Sequence, residues 1–167
     1  MKILLYIVII LFSINLCNAQ VLKNKQIYFG YGFYEAINIG MKHIIDQRNI
    51  IGLSIGSNFR LLNNEKYYAI ELEYDKSIFN NNNKINNWFF INKIIYWKLE
   101  DKYYIWNVLS WSPCLGKYIY FTDKIGGLID IGPLFNLVLY NKRKTFEEVG
   151  WPYKIMPNFR IELFYNI

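Results

Sequence analysis

Cysteine and histidine are scarce in this chain of 167 residues, which has two cysteines and one histidine. Cys17 lies in an amino-terminal segment that we expect to be removed, so Cys114 has no partner for an intramolecular disulfide bond. Cysteine pairs, histidine pairs and the spacing of a calcium loop are all missing. Structural disulfides and metal centres are therefore excluded on the sequence, and we expect no cofactor.

Concentrated positive charge and helical periodicity are missing as well. The 19 Lys and Arg residues outnumber 13 Asp and Glu, but they are spread along the chain and accompany no recognition motif. This argues against nucleic acid as a partner. Glycine-rich nucleotide-binding motifs are absent, and no apolar stripe of helical period occurs after the amino terminus. The sequence thus favours neither a nucleotide-binding protein nor a helical one.

The amino terminus has the pattern of a secretory signal peptide. Lys2 precedes an apolar run over residues 3–12, and a short polar stretch ends in Ala19. The run is short for a membrane-spanning helix, which needs roughly 20 apolar residues, so cleavage after Ala19 is favoured over an uncleaved anchor. We expect a signal peptide over 1–19, export through the Sec route, and one mature domain over 20–167.

Strict alternation of apolar and polar residues is the main positive signal. The last ten residues show it most clearly, with apolar positions at Phe159, Ile161, Leu163, Tyr165 and Ile167. A strand with one apolar face and an uncovered edge needs partners, and pairing the last strand with the first removes both edges. The pattern predicts an all-β, antiparallel up-and-down transmembrane β-barrel of about eight strands, at 26–34, 35–45, 51–56, 66–79, 88–99, 109–121, 125–140 and 158–167.

Two positions disturb this pattern. Lys93 has the same parity as the apolar residues Phe89, Ile91, Ile95 and Trp97, which indicates either a bulge or an incorrect strand assignment. Pro113 cannot donate a backbone hydrogen bond, so it requires a bulge or an unpaired position.

Composition decides which face of the sheet is inside. The polar faces consist mainly of small residues with charges of both signs, which suits a narrow barrel interior better than a solvated surface. We therefore predict a lumenal ion network at Lys42, Glu71, Glu73, Asp75, Asp130, Arg160 and Glu162. The opposite faces carry almost no charge and should meet lipid. Aromatic residues near strand ends are expected at the level of the head groups: Tyr28, Tyr68, Phe79, Trp88, Trp97, Phe121, Tyr140 and Tyr165.

Four stretches resemble the small outer-membrane β-barrel proteins of Gram-negative bacteria, of the Bacteroidetes type. They are residues 30–40, 51–57, 123–132 and 163–167. The resemblance implies residence in the bacterial outer membrane, contact with its lipid and insertion by the barrel-assembly machinery, which reads a terminal strand with an aromatic residue near its end. We expect a monomer with a structural role or a binding role carried by its loops.

Catalysis has little support. His43, the only histidine, falls on the apolar face, and no serine and acid lie at a compelling spacing from it. The three carboxylates of the fourth strand could form an acid–base pair, but nearby cations favour an ion network. We predict no enzymatic activity. Two alternatives stay open, a soluble periplasmic barrel of lipocalin type that carries an apolar ligand and a membrane-embedded lipid hydrolase.

Overall fold

Eight antiparallel strands make up the computed structural model, which describes residues 24–34, 36–46, 48–58, 66–78, 87–100, 103–143 and 153–167. The strands are β1 (Lys25–Gly32), β2 (Ala36–Ile44), β3 (Asn49–Ser57), β4 (Lys66–Ser77), β5 (Trp88–Glu100), β6 (Tyr104–Tyr120), β7 (Ile125–Arg143) and β8 (Ile155–Asn166). No helix in the described ranges is long and apolar enough to cross a membrane. The predicted signal peptide at 1–19 and Phe79 lie outside the described residues.

The strands form a closed barrel in which each pairs with its neighbours in sequence and β1 pairs with β8. The closing register sets Gln26 opposite Asn166 and Gly32 opposite Arg160. The all-β class, the antiparallel closure and the eight strands are confirmed. Closure follows from the alternation, because a strand with one apolar face gains most when both of its edges are paired.

Because consecutive strands are antiparallel, successive connections lie at alternate ends of the barrel. The end that holds Lys25 and Asn166, called the terminal end here, carries the β2–β3, β4–β5 and β6–β7 connections. Two of these are tight turns stabilised by side chains. Asp46 accepts hydrogen bonds from the backbone N–H of Arg48 and of Asn49, at 2.7 and 2.8 Å. The opposite, distal end carries the other four connections.

The β6–β7 hairpin is longer than predicted. β6 begins at Tyr104 rather than near residue 109, and β7 continues to Arg143. A register shift at Asn107 and Val108 lets the two strands stay paired up to Tyr104 and Arg143. The alternation continues here, but Tyr104, Trp106 and Val108 point inward. Since these inward residues are apolar like the outward ones, the sequence shows no alternation of apolar and polar residues over the added part of β6.

The disturbance at Lys93 is not a bulge. β5 keeps one register with both neighbours, and Lys93 lies opposite Glu73 on β4 and Ser112 on β6. Lys93 points inward together with Phe89, Ile91, Ile95 and Trp97, which are at most 5% exposed. The expectation that large apolar residues face outward was therefore wrong for this strand.

Pro113 occupies a gap in the β6–β7 ladder. Between these strands the register runs from Trp111 opposite Phe135 to Leu115 opposite Ile131 without intervening pairs. The carbonyl oxygen of Pro113 lies close to Gly132, where an added Cβ would collide with it and would be 2.8 Å from the Cα of Cys114. The missing donor of proline is tolerated because the ladder is already interrupted there.

Candidate functional site: an ion network in the barrel lumen

The structure brings the seven charged residues of the sequence analysis together inside the barrel. They come from β2, β4, β7 and β8, and each is at most 4% exposed: Lys42, Glu71, Glu73, Asp75, Asp130, Arg160 and Glu162. Each occupies an inward position of its strand, because side chains alternate between the two faces of a sheet. Such burial requires that the charges be paired.

Arg160 on β8 is the hub of this network. One of its terminal nitrogens, Nη1, contacts Glu71 at 2.6 Å and Glu73 at 2.7 Å. The same nitrogen lies 2.9 Å from Glu162, and Nε donates to Asp130 at 2.8 Å. A planar guanidinium group presents several donors in fixed directions, so a single arginine can hold carboxylates from three strands.

Lys42 on β2 forms a second centre. Its Nζ lies 2.6 Å from Glu73, 2.9 Å from Glu162 and 3.5 Å from Asp75. It also donates to the hydroxyl of Tyr118 at 3.1 Å, and that hydroxyl donates to Asp75 at 2.5 Å. Glu73 and Glu162 therefore each bridge Lys42 and Arg160, which links the two centres into one network.

Lys93 belongs to the network but was missed by the sequence analysis. Its ammonium group donates to Asp130 at 2.7 Å, and both side chains are fully buried. Asp130 thus joins Lys93 to Arg160. The signal was present in the parity of β5, which assigns Lys93 to the inward face once apolar residues are also allowed inside. Tyr118, which donates to Asp75, was also not among the predicted site residues.

Two clusters of buried apolar residues flank the ion network, one on each side along the barrel axis. Along β5, Phe89 and Ile91 lie on the terminal side of Lys93, and Ile95 and Trp97 lie on its distal side. The terminal cluster includes Tyr28, Tyr118, Leu128 and Phe164, and the distal cluster includes Tyr67, Trp106, Val108 and Leu134. The charges are consequently held in a medium of low dielectric, where pairing is strong and an unpaired charge is costly.

Tyr28 and Trp97 contribute to these clusters rather than to head-group contacts. They are 1% and 0% exposed, so the expectation that they lie at the membrane surface was wrong. The indole N–H of Trp97 donates to Ser110 at 2.9 Å. By contrast, the outward aromatic residues among those predicted are exposed: Tyr68, Trp88, Phe121, Tyr140 and Tyr165. Tyr28 and Trp97 have the parity of the inward face, and an eight-stranded barrel fills its interior with such side chains.

The distal end is closed by Tyr34, in the turn between β1 and β2. Its hydroxyl donates to the sulfur of Met156 at 2.6 Å, and its carbonyl oxygen accepts from the hydroxyl of Tyr67. Burial raises the pKa of Tyr34 to about 12, so the phenol stays protonated and keeps donating. The contact between Tyr34 and Trp97, with ring centroids 6.3 Å apart, joins this closure to the distal cluster.

The network pairs three cations with five carboxyl groups, and among the described residues it places no nucleophile beside a base. His43 is exposed on the outer face, on the opposite side of the wall from the network. Ser112, the inward serine near Cys114, is occupied by hydrogen bonds to the Pro133 carbonyl and from Asn158. Within the described ranges, no group of three or more His, Cys, Asp or Glu side chains is arranged to hold a metal.

The outer face carries an apolar belt, which consists of the outward residues in the middle of the strands. On β4 the belt runs from Tyr68 to Tyr74 between the exposed Lys66 and Lys76. On β8 every outward residue from Ile155 to Tyr165 is uncharged. The exposed residues at its centre include Ile39, Leu53, Ile70, Leu72, Ile94, Trp111, Leu115, Ile129, Ile131, Ile161 and Leu163.

The belt has the height of a membrane core. Ten residue steps separate Lys66 from Lys76, which at about 3.3 Å per residue is roughly 33 Å along the strand. With a strand tilt of about 40°, this corresponds to a band about 25 Å tall, the usual height of the apolar band in outer-membrane barrels.

Comparisons with known proteins leave the family open. No family model matches the chain, and no curated protein matches it. Among solved structures, the crystal structure of CarO from Acinetobacter baumannii is similar over 90% of this chain and 100% of that chain, with 8% sequence identity and a TM-score of 0.46. What the structure establishes by itself is a closed eight-stranded barrel with an ionic lumen and an apolar exterior, an arrangement compatible with an outer-membrane barrel.

Proposed function

We propose that this chain is an integral outer-membrane β-barrel protein of a Gram-negative bacterium, of the Bacteroidetes type, with a structural role or a binding role carried by its loops. The observation that supports it best is the apolar belt. Ile70, Leu72, Ile161 and Leu163 are 45–57% exposed, whereas the interleaved Glu71, Arg160 and Glu162 are at most 1% exposed. In water such a surface would promote association, but in hydrocarbon it is the stable orientation.

The soluble carrier alternative requires the reverse orientation. A lipocalin-type barrel places its apolar faces inward around a ligand cavity, and here the centre of the lumen is filled by ion pairs and aromatic rings. The buried residues Arg160 and Lys42 occupy the space that an apolar ligand would need. This orientation favours the membrane protein over the carrier.

The filled lumen also bears on the kind of membrane protein. Charged and aromatic side chains fill the described lumen at three levels, which argues against wide conductance. A lipid hydrolase would need a nucleophile and a base at one site, and His43 lies outside while Ser110 and Ser112 are hydrogen-bonded inside. We therefore propose that the barrel is a rigid membrane frame, inserted by the barrel-assembly machinery as a monomer, and that any binding falls to its connections.

Insertion can be tested on the mature chain refolded in detergent and in phospholipid vesicles. We expect a folded form that migrates differently on a gel before and after boiling, and that stays with the vesicles after alkaline washing. Leu72→Arg, at the centre of the belt, should lower the yield of inserted protein, because a cation at the bilayer midplane costs about 2–4 kcal/mol. The matched control Lys76→Arg, at the edge of the belt, should insert like the parent.

A contrary result is equally definite. If the native protein were released in a soluble folded form by osmotic shock, or if Leu72→Arg inserted as well as Lys76→Arg, the membrane assignment would be wrong. Fractionation of the native cell adds the location, since a membrane frame should be recovered with the outer membrane. Unchanged masses of membrane lipids on expression would agree with the absence of hydrolase activity.

A further inference from the structure

The outer wall has a depression at the terminal end, formed by strands β1 to β4. Its sides are apolar and consist of Met41, Ile51, Leu53 and Leu72, while Lys25 and His43 also line it. The register sets Met41 opposite Leu53 and Leu53 opposite Leu72, so these side chains form one level across three strands. Lys25 lies opposite His43, which lies opposite Ile51, one level nearer the terminal end.

The depression is sunk into the wall. It also touches Lys42, Gly52 and Glu73, which occupy inward positions of their strands. Gly52 leaves its inward side open to Lys42 and Glu73, whose nearest side-chain carbons lie 3.2 and 3.4 Å from the position of an added Cβ. The volume is about 470 Å³, within the range of about 300–1,000 Å³ typical of small-molecule sites.

The two chemistries of the depression indicate an amphiphile. Met41, Leu53 and Leu72 continue the apolar belt, so an alkyl chain there would remain in the hydrocarbon layer. The lysine ammonium and an imidazole N–H of the histidine are hydrogen-bond donors at the border of the belt, where head-group phosphates would lie.

We propose that this depression binds one glycerophospholipid with an anionic head group, with an acyl chain against Met41, Leu53 and Leu72 and the phosphate at Lys25 and His43. The site rests on the proposed insertion of the barrel in a membrane, and it adds a defined lipid position to the apolar belt. It also gives a role to the single histidine.

The test compares lipid retention by purified barrels. Parent and variants are inserted into bilayers of phosphatidylcholine with a minor fraction of phosphatidylglycerol, then released gently and weighed by native mass spectrometry. The parent should retain one phosphatidylglycerol. Lys25→Ala with His43→Ala should lower that fraction about tenfold relative to phosphatidylcholine, as expected for losing charge-assisted contacts. The control Lys76→Ala with Lys117→Ala removes exposed lysines at the same end, outside the depression, and should retain the lipid.

A second pair of variants probes the acyl-chain part. Leu53→Trp fills the depression and should reduce retention, whereas Leu163→Trp, an outward residue on β8, should not. The lipid site would be overturned if each variant retained as much phosphatidylglycerol as its control. It would also be overturned if the barrel bound two lipid molecules that both depended on Lys25 and His43. Failure of the parent to insert into any bilayer would instead refute the proposed function itself, so the two failures can be told apart.

Discussion

Replacement of Arg160 by methionine is the sharpest test of the ion network. Arg160 is fully buried and lies within 2.9 Å of oxygens from Glu71, Glu73, Asp130 and Glu162. Methionine fills similar space but leaves these carboxyl groups with only Lys42 and Lys93 nearby. Breaking a buried ion pair by removing one partner typically costs about 3–5 kcal/mol, and here one cation serves four partners. We therefore expect a loss at or above the upper end of that range.

This loss can be measured as a shift in heat modifiability. For a domain of this size, 1 kcal/mol moves the melting temperature by roughly 2–4 °C, so a loss of about 5 kcal/mol gives an expected decrease of about 10–20 °C. The temperature at which half of the refolded barrel changes its gel migration in detergent gives the shift. Lys76→Met, which removes an exposed cation from the same barrel, should melt within about 2 °C of the parent.

A double variant tests the pairing of Arg160 with one of its carboxylates. Arg160→Met with Glu71→Gln removes a cation and one of its carboxylates together, so it should recover part of the stability lost in Arg160→Met. Melting of Arg160→Met within about 2 °C of the parent would refute the reasoning, because a hub of four buried contacts could not then be important for stability. Equal melting of the single and double variants would refute the pairing with Glu71.

Four further results are expected. Glu73→Ala should lower the heat resistance of the barrel in detergent, because Glu73 bridges Lys42 and Arg160. Leu72→Ala, next to it on the outer face, should leave the heat resistance unchanged. Unchanged resistance of Glu73→Ala would instead indicate that Glu73 faces solvent or lipid. Gly132→Ala should reduce the refolding yield, since its Cβ would meet the backbone of Pro113 and Cys114, whereas Gly52→Ala, with flexible neighbours at 3.2 and 3.4 Å, should refold. Cys114, 1% exposed, should resist a maleimide in the folded barrel and react in denaturant; fast labelling of folded protein would contradict its burial. The pKa of Asp46 is lowered mainly by the hydrogen bond from the side-chain amide of Asn49 and secondly by the bond from the backbone N–H of Arg48. The ionised Asp46 should therefore stabilise the β2–β3 turn above the ordinary pKa of aspartate, and this stabilisation should be lost as pH falls through the lowered pKa. The loss should be measurable as faster amide exchange at Arg48 and Asn49.

The strands and their facing could be predicted because both depend on local pattern. Alternation in β4 and β8 assigns Glu71 and Arg160 to one face and Leu72 and Ile161 to the other, and closure follows from the two uncovered edges. The seven lumenal charges could be assigned to one face for the same reason. Which of them meet could not be predicted, because Arg160 contacts Glu71 across the lumen between strands that are not neighbours.

The errors have a common physical cause. The composition of the polar faces predicts small or charged inward residues, whereas the lumen also holds Tyr28, Ile95, Trp97 and Tyr104. An eight-stranded barrel has room for large inward side chains wherever the facing strands contribute small ones. The size of one inward side chain therefore depends on all the strands at that level, which a local sequence pattern does not show. Lys93 and the start of β6 were missed for this reason. The predicted absence of enzymatic activity and the predicted partners stay predictions.

The location of Arg160 on the last strand has a consequence for assembly. Until β8 docks against β1, the carboxyl groups contributed by β4 and β7 lack the cation that joins them. In an open sheet of seven strands, Lys42 and Lys93 would still pair with Glu73 and Asp130, but Glu71 would lack its contact with Arg160. Because an incompletely compensated charge is costly in hydrocarbon, we expect that, in a membrane, docking of the last strand and pairing of Glu71 with Arg160 occur together.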